Sequence, residues 1–144
     1  MFHASAASFA SATPAPPPMM PPMKPWEYLR LRREAAGLSI DEVARRMSPK
    51  LATRSEAARL AELLETRGYR ALHNKPILRL ASAYPLDPSV YRQLADLPPE
   101  QHPAVCRGCG SSYWDTQRGA EHVLVSWTAP HTCTGCVAAQ VGAA

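Results

Sequence analysis

The residues of this chain best suited to chemistry are its four cysteines. They stand in two CxxC pairs, Cys106 with Cys109 and Cys133 with Cys136, and no other cysteine occurs in the sequence. Each CxxC pair bends the chain so that both thiolates face one point, and two such pairs supply the four soft ligands of a tetrahedral metal ion. This pattern predicts one structural Zn²⁺ ion bound by all four thiolates.

Other uses of the cysteines have less support. A redox CxxC usually lies beside a βαβ pattern, and the sequence has no such pattern. A catalytic zinc site keeps an open coordination position and needs a nearby acid or base. His102, His122 and His131 lie near the cysteines, and His131 could replace one of them as a ligand, but exposed or strand-surface positions suit all three histidines better. With no serine–histidine–acid set, phosphate-binding glycine loop or paired carboxylates evident, we do not expect an enzyme.

The chain is mildly basic, and its charge is unevenly distributed. The formal net charge is +4 over 144 residues. Residues 24–97 carry 14 Lys and Arg against 9 Asp and Glu, whereas residues 98–144 carry 2 against 3. Any contact with a polyanion such as nucleic acid should therefore come from the middle of the chain.

Both ends of the chain are predicted to be tails. Residues 1–25 are rich in Ala, Ser and Pro, contain nothing suited to fill a core and are expected to be disordered, and residues 138–144 form a second, short tail. Whether Met1 or Met23 is the start stays open. With no secretory signal and no apolar run of about 18 to 20 residues, we expect a cytoplasmic protein without a membrane partner. In that reducing compartment, CxxC pairs bind metal more often than they form disulfides.

Residues 26–97 carry the signals of five helices. The first is predicted over Trp26–Ala36, with Gly37 as its stop. Capping boxes at Ser39–Glu42 and Thr53–Glu56 are predicted to begin the second and third helices, because a serine or threonine and a glutamate three residues later satisfy two free backbone amides.

The last two helices have equally clear start signals. The fourth begins near Asn74 with Pro76 in its first turn, and the fifth has Asp87 as its N-cap and Pro88 at its first position. The second to fifth helices each carry an apolar stripe at helical spacing, predicted to face a shared core. These stripes consist of Ile40, Val43, Ala44 and Met47; Ala57, Leu60, Ala61 and Leu64; Ile77, Leu80, Ala81 and Tyr84; and Val90, Tyr91 and Leu94.

The cysteines are predicted to lie in a separate module. Residues 98–104 are rich in proline and form a stiff linker, and residues 105–137 form a zinc-ribbon-like unit in which two cysteine turns bracket a small β-hairpin. The run Glu121–Trp127 alternates apolar side chains on one side, as a strand does. We place Trp127 in the core and leave the role of Trp114 open. A module of this size buries too little surface to fold alone, so the metal should stabilise it.

The segments Leu29–Met47, Leu64–Gly68 and Ile77–Leu86 resemble parts of the lambda-repressor/Cro (XRE-type) family of helix-turn-helix domains. The likeness lies in the LRREAAGLS junction before a helix ending in VARRM, in LETRG, and in the later ILRLASAYPL helix. It implies a five-helix helix-turn-helix domain at residues 26–97, so the fold class expected for the chain is mainly α with a small β part. The stretch joining helices two and three exceeds the usual family length by roughly two helical turns. Either the turn is expanded or helix three is lengthened.

The same resemblance implies how duplex DNA would be bound. Helix two would brace against the DNA backbone while the N-terminal end of helix three enters the major groove. Free amides at the N-terminus of helix two would meet a phosphate, and basic side chains would add phosphate contacts. The residues expected to contact DNA are Ser39, Arg45, Arg46, Lys50, Thr53, Arg54, Ser55 and Arg59. The alternative, that the arginines are only the solvated face of small helices, stays open.

The cysteine module resembles a cluster found in proteins of phage and prophage origin. In that cluster, CxxCG leads through an acidic residue and a tryptophan to a closing CxxC. The corresponding elements are Cys106–Gly110, Asp115, Trp127 and Cys133–Cys136. Relatives often carry further cysteines between the pairs, but this chain has none, so a single metal ion is expected.

Two functions are consistent with these observations. In the first, the protein is a small bacterial or phage DNA-binding regulator of transcription, and the zinc module adds DNA or protein contacts. In the second, the helical domain does not read DNA, and the protein is an adaptor that binds another protein, such as transcription machinery or a host factor, through the helical or the zinc module. The basic helical domain favours the first, whereas the lengthened stretch between helices two and three and the near-neutral cysteine module favour the second. A homodimer is compatible with both.

Overall fold

Five short helices precede the cysteine-bearing segment. The computed structural model of the chain describes residues 20–112, 127–129 and 131–136. Its elements are α1 (Pro25–Ala35), α2 (Ile40–Met47), α3 (Leu51–Leu64), α4 (Lys75–Ala81), α5 (Pro88–Asp96), a 3-10 turn (Pro99–Gln101), β1 (Trp127–Ala129) and β2 (Thr132–Cys133). Helix α2 packs most closely on α3, and α1 packs on α5. Within the described ranges, every helix is too short or too polar to cross a membrane.

Two of the predicted helix starts are confirmed in atomic detail. The Ser39 hydroxyl accepts a hydrogen bond from the Glu42 amide at 3.2 Å, and the Glu42 carboxylate accepts one from the Ser39 amide at 2.7 Å. At the start of α5, the Asp87 carboxylate accepts from the Ser89 amide at 2.8 Å. Helix α1 ends where predicted, because Gly37 adopts a left-handed backbone with φ +70°.

The predicted capping box at Thr53–Glu56 is wrong. Helix α3 begins at Leu51, with Lys50 as its N-cap, so Thr53 lies inside the first turn. Its hydroxyl pairs with the Ser48 hydroxyl, which leaves it no capping role. The turn between α2 and α3 is only three residues long, and α3 has 14 residues. The extra length noted in the sequence therefore belongs to the third helix.

The core forms where the helical stripes predicted it. Of the stripe residues, Ile40, Met47, Leu60 and Ala81 are half-buried, and the fully buried ones are Val43, Ala44, Ala57, Ala61, Leu64, Ile77, Leu80, Tyr84, Val90, Tyr91 and Leu94. The buried tyrosines have polar partners. Tyr91 accepts a hydrogen bond from the Ala71 amide at 2.9 Å, and Tyr84 donates one to the Leu29 carbonyl at 3.3 Å. Burial raises the pKa of Tyr84 well above its ordinary value, so its hydroxyl stays a donor.

Two residues from outside the predicted helical domain also enter this core. Met23 is 4% exposed and packs in the same cluster as the helices. The prediction that nothing in residues 1–25 fills a core is therefore wrong at this position, and α1 already begins at Pro25. Val105, just before the first cysteine, is 3% exposed and belongs to the same cluster. Residues 1–19 of the predicted tail lie outside the described residues.

A partly buried ion pair ties α1 to the end of α3. The Arg33 guanidinium donates from Nε and Nη2 to the two carboxylate oxygens of Glu65 at 2.7 and 2.8 Å. Its third group, Nη1, donates to the Leu38 carbonyl at 2.8 Å. The hydrogen bond to Glu65 is the main cause that raises the pKa of Arg33. Because this pair also binds the backbone just before α2, it fixes three consecutive elements relative to one another.

The β structure among the described residues is small. Strand β1 pairs with β2 in antiparallel register, Trp127 opposite Cys133 and Ala129 opposite Thr132. The Glu121–Trp127 strand prediction falls outside the described residues except at its last position. Trp114 and residues 138–144 also lie outside them, so the predictions made for these positions remain predictions.

Candidate metal centre

The first CxxC pair lies in a tight turn. Val105 and Ser112 pair across its base, and the Cys106 amide donates to the Ser111 carbonyl at 2.8 Å. The Gly110 amide donates to the Cys106 carbonyl at 2.9 Å, and Gly110 has φ +75°, a left-handed conformation that favours glycine. These bonds hold both thiols of the pair on the inside of the turn.

The second pair follows the β1–β2 hairpin. Cys133 ends β2, and the chain is helical over residues 134–136. His131, at the tip of the hairpin, has φ +71°, and its carbonyl accepts a hydrogen bond from the Arg107 amide at 2.9 Å. This bond ties the hairpin to the first turn and brings the two CxxC pairs face to face.

The four sulfur atoms converge on one point. All four Sγ atoms lie within 4.8 Å of one another, and two contacts join the pairs, Cys106 to Cys136 and Cys109 to Cys133, each 3.6 Å. A disulfide bond would bring two sulfurs to about 2.05 Å, and all four thiols are free. Tetrahedral zinc with Zn–S bonds of about 2.3 Å separates its sulfurs by about 3.8 Å. The donor set therefore fits a tetrahedral metal ion, and the cluster could hold one.

The surroundings shift the pKa values of three of the thiols in different directions. Burial raises the pKa of Cys106, but hydrogen bonds from the backbone amides of Cys133, Cys109 and Gly108 outweigh burial and lower it to about 7. Burial, with help from the neighbouring thiols, raises the pKa of Cys133 and of Cys136 instead. Deprotonation is thus favoured at Cys106 and opposed at Cys133 and Cys136, and a bound cation would supply the positive charge that favours thiolates.

Position 108 requires glycine because the second cysteine pair lies so close to it, not because of its backbone angles. A Cβ atom at this position would lie 2.8 Å from the Cys136 Sγ, closer than real Cβ atoms approach other heavy atoms. Its amide points at the Cys106 Sγ at 3.4 Å. The glycine in the first CxxC is thus required by close approach of the opposite thiol.

The two described histidines nearest the cysteines, His102 and His131, do not join the cluster. Within the described ranges, the group that could hold a metal consists of cysteines alone. The side chain of His131 is exposed, and His102 Nε2 contacts the Leu97 carbonyl at 2.8 Å. His122 lies outside the described residues.

The residues predicted to contact DNA are distributed over α2, the short turn and α3. At the start of α2, the amides of Ser39 and Glu42 are engaged in the capping box. These two amides are therefore not free for a phosphate, contrary to expectation. The carboxylates of Asp41 and Glu42 also stand at this helix end, and they would repel an anion.

Two of the predicted arginines bind backbone carbonyls. Arg46 Nη1 donates to Ala83 at 2.9 Å, which ties α2 to the end of α4. Arg54 Nη2 donates to Pro49 at 3.1 Å, which braces the turn before α3. The sequence left open that these arginines are only the solvated face of small helices, and it predicted neither of these backbone contacts.

A shallow groove brings several predicted residues together. It has a volume of about 430 Å³ and lies between the first turn of α2 and the outer side of α3. The lining residues are Asp41, Leu51, Arg54, Ser55, Ala58, Arg59 and Glu62. Three of the eight residues predicted to contact DNA thus line the groove, whereas the other five do not: Ser39, Arg45, Arg46, Lys50 and Thr53.

Sequence reasoning missed two residues beside the cysteines. Arg32 of α1 and Ser111 hydrogen-bond to each other, and Ser111 also contacts Cys109. The only local signal was the pair of serines that follows the first CxxCG. Nothing near Arg32 in the sequence indicates that it faces a cysteine turn.

Comparison with known proteins gave no relative. No protein-family model matches the chain, and neither a curated protein nor a solved structure matches it.

Proposed function

We propose that the protein is a small DNA-binding regulator of transcription with one structural zinc ion. The observation that carries this proposal is the geometry of two helices joined by a three-residue turn. The second of them, α3, presents Arg54, Ser55 and Arg59 along one open groove. The surrounding helical segment carries the positive charge of the chain, which would attract the DNA backbone. The resemblance to helix-turn-helix domains supports the same assignment.

Zinc is the metal best suited to the cysteine cluster. Four thiolates at tetrahedral separations leave no open position for catalysis, and they suit zinc better than the harder cations. The ion would hold the hairpin against the first turn and stabilise the module. Together with the resemblance to phage and prophage cysteine clusters, this favours a cytoplasmic protein of a bacterium or a phage.

The proposed docking places α3 in the major groove. Side chains near the N-terminal end of such a helix reach base edges, and cations beside it reach phosphates. Arg59 and Ser55 are exposed and free to turn toward DNA, and Arg45 and Lys50 are exposed near the same end. Glu62 lies one turn beyond Arg59 and would repel the DNA backbone, so the contact should not extend past Arg59.

Changing Arg54 and Arg59 together to glutamine should weaken binding to duplex DNA about tenfold or more at a fixed salt concentration. Each lost phosphate contact should also reduce the salt slope by about 1. Fluorescence anisotropy with labelled duplex across a salt series measures both quantities. Arg30→Gln with Arg67→Gln is the matched control, because both side chains are exposed, neither lines the groove and the net charge is the same. Equal binding by the two double variants would refute the proposed contacts.

A protein-binding adaptor is the second candidate, and one feature of the groove favours it. Leu51 is 77% exposed at the groove, and the acidic Asp41 and Glu62 lie beside the arginines. Exposed leucine among mixed charges suits a protein surface better than DNA. If the wild-type protein does not bind duplex DNA in the anisotropy experiment, this candidate is favoured.

A further inference from the structure

The side chain of Arg32 lies between the helical domain and the first cysteine turn. Arg32 belongs to α1 and is 9% exposed. Its Nε donates to the Pro85 carbonyl at 3.0 Å, just before α5. Its Nη1 lies 3.3 Å from the Cys109 carbonyl and 2.9 Å from the Ser111 hydroxyl oxygen. One guanidinium thus binds the helical core on one side and the candidate metal centre on the other.

Ser111 passes this contact on to a thiol. Its Oγ lies 3.1 Å from the Cys109 Sγ. Because the oxygen accepts a hydrogen bond from Arg32, the hydroxyl proton is available to the sulfur, and a thiolate at Cys109 would accept it. The resulting chain runs from guanidinium to hydroxyl to ligand. Groups that hydrogen-bond to metal ligands in this way orient them and tune the affinity for the metal.

The residues around these hydrogen bonds are closely packed and leave little room for movement. A Cβ atom at Gly110 would lie 2.9 Å from Arg32 Cδ and 3.2 Å from Leu31 Cβ. The backbone of the cysteine turn therefore rests directly on α1. Val105, at the base of the same turn, is buried in the helical core. The hydrogen bonds of Arg32 are formed in a closely packed junction, not across a loose linker.

A buried guanidinium is costly when its acceptors are lost. Two of the acceptors of Arg32 belong to the cysteine turn, and that turn would loosen if the thiols had no metal to hold them. Loss of the metal would therefore weaken the hydrogen bonds between Arg32 and the cysteine turn. Thermodynamic linkage requires the reverse as well, so a change at Arg32 must alter the affinity for the metal.

We infer that Arg32 and Ser111 are positioning residues that couple metal binding at the four cysteines to the stability of the helical domain. The inference rests on the metal site of the proposed function, but not on DNA binding. In the metal-loaded protein, Ser111 orients the Cys109 ligand and Arg32 holds Ser111. In the metal-free protein, the helical domain loses part of its support at α1.

The test uses the full chain with Ser111→Ala, Arg32→Met and, as a matched control, Arg30→Met on the exposed side of α1. Zn²⁺ affinity is measured by competition with a chromophoric chelator, and Co²⁺ loading gives the thiolate-to-metal absorption band. We expect Ser111→Ala to bind Zn²⁺ about tenfold more weakly and to shift the Co²⁺ band. Arg32→Met should show a similar loss, and Arg30→Met should show none.

Thermal unfolding with and without Zn²⁺ separates coupling from ordinary destabilisation. Ser111→Ala should lower the melting temperature of the loaded protein and leave that of the metal-free protein unchanged. If Arg32→Met does not fold, the results for Ser111→Ala alone test the inference. Wild-type affinity together with an unchanged Co²⁺ spectrum in Ser111→Ala would overturn the inference while leaving the metal site intact. Failure of the wild type to bind any metal would instead overturn the metal site itself.

Discussion

Replacing Cys133 by serine is expected to abolish stoichiometric metal binding and to lower the melting temperature by more than about 10 °C. Cys133 is 2% exposed, and its sulfur lies 3.6 Å from that of Cys109. A serine hydroxyl does not ionise near neutral pH and cannot replace a thiolate. A metal present at a thousand times its dissociation constant adds about 4 kcal/mol to the free energy of unfolding. The variant should lose this contribution.

Metal content per chain and thermal unfolding with and without a strong chelator test this expectation. The wild type should contain one zinc ion, and chelation should lower its melting temperature to that of Cys133→Ser. The variant itself should not respond to the chelator, which makes it the internal control. A wild type that contains no metal, or that melts identically with and without chelator, would contradict the assignment of the four cysteines.

Breaking the Arg33–Glu65 pair should destabilise the helical domain by about 3 kcal/mol, the lower end for a buried pair, because both side chains keep slight exposure. Arg33 and Glu65 are 14% and 9% exposed and make two parallel hydrogen bonds. In Glu65→Gln, the guanidinium would stay charged and keep only the exposed Glu34 carboxylate at 4.0 Å as an anionic neighbour, while its contact to Leu38 holds it in place. In Arg33→Met, the carboxylate would be left without its cation. Each single variant should therefore be much less stable than the wild type.

Denaturant unfolding of the two single variants and of the double variant Arg33→Met/Glu65→Gln measures the interaction free energy between the two side chains. The double variant should be more stable than the sum of the single losses predicts, because neither charge is then left alone. Asp96→Asn is the control, since it breaks the more exposed pairs with Arg70 and Arg92, where solvent screens the charges and little stability should be lost. Additive losses, or single variants no worse than Asp96→Asn, would show that the pair does not hold α1 to α3.

The sequence was most informative where local chemistry decides the structure. The Ser39–Glu42 capping box and the Asp87 cap each depend on atoms within three residues, so their pattern alone predicts the helix starts. The CxxC pairs are similar, because the spacing within each pair already orients two thiols. Thr53 shows the limit of such local patterns. The same motif could cap a helix, but α3 already begins at Leu51, and the threonine hydroxyl pairs with the Ser48 hydroxyl instead.

Contacts between distant parts of the chain could not be predicted in this way. Arg32 meets Cys109 and Ser111 across 77 and 79 residues, and no periodic pattern connects positions so far apart. The sequence likewise does not predict the carbonyl contacts of Arg46 and Arg54. A charged side chain on a small helix looks the same in sequence whether it binds DNA, backbone or water. The candidate metal ligands could therefore be predicted one by one, whereas the candidate DNA contacts could be predicted only as a group.

The proposal that this protein is a DNA-binding regulator is tested most directly by selecting duplexes from a random pool with the zinc-loaded wild type, and then measuring the affinity for the enriched sequence across a salt series. We expect a recurrent motif to be enriched, and we expect the logarithm of its binding constant to fall linearly with the logarithm of the salt concentration. Enrichment of no motif, together with weak binding of every duplex at low salt, would contradict the proposal and direct attention to a protein partner at the same groove.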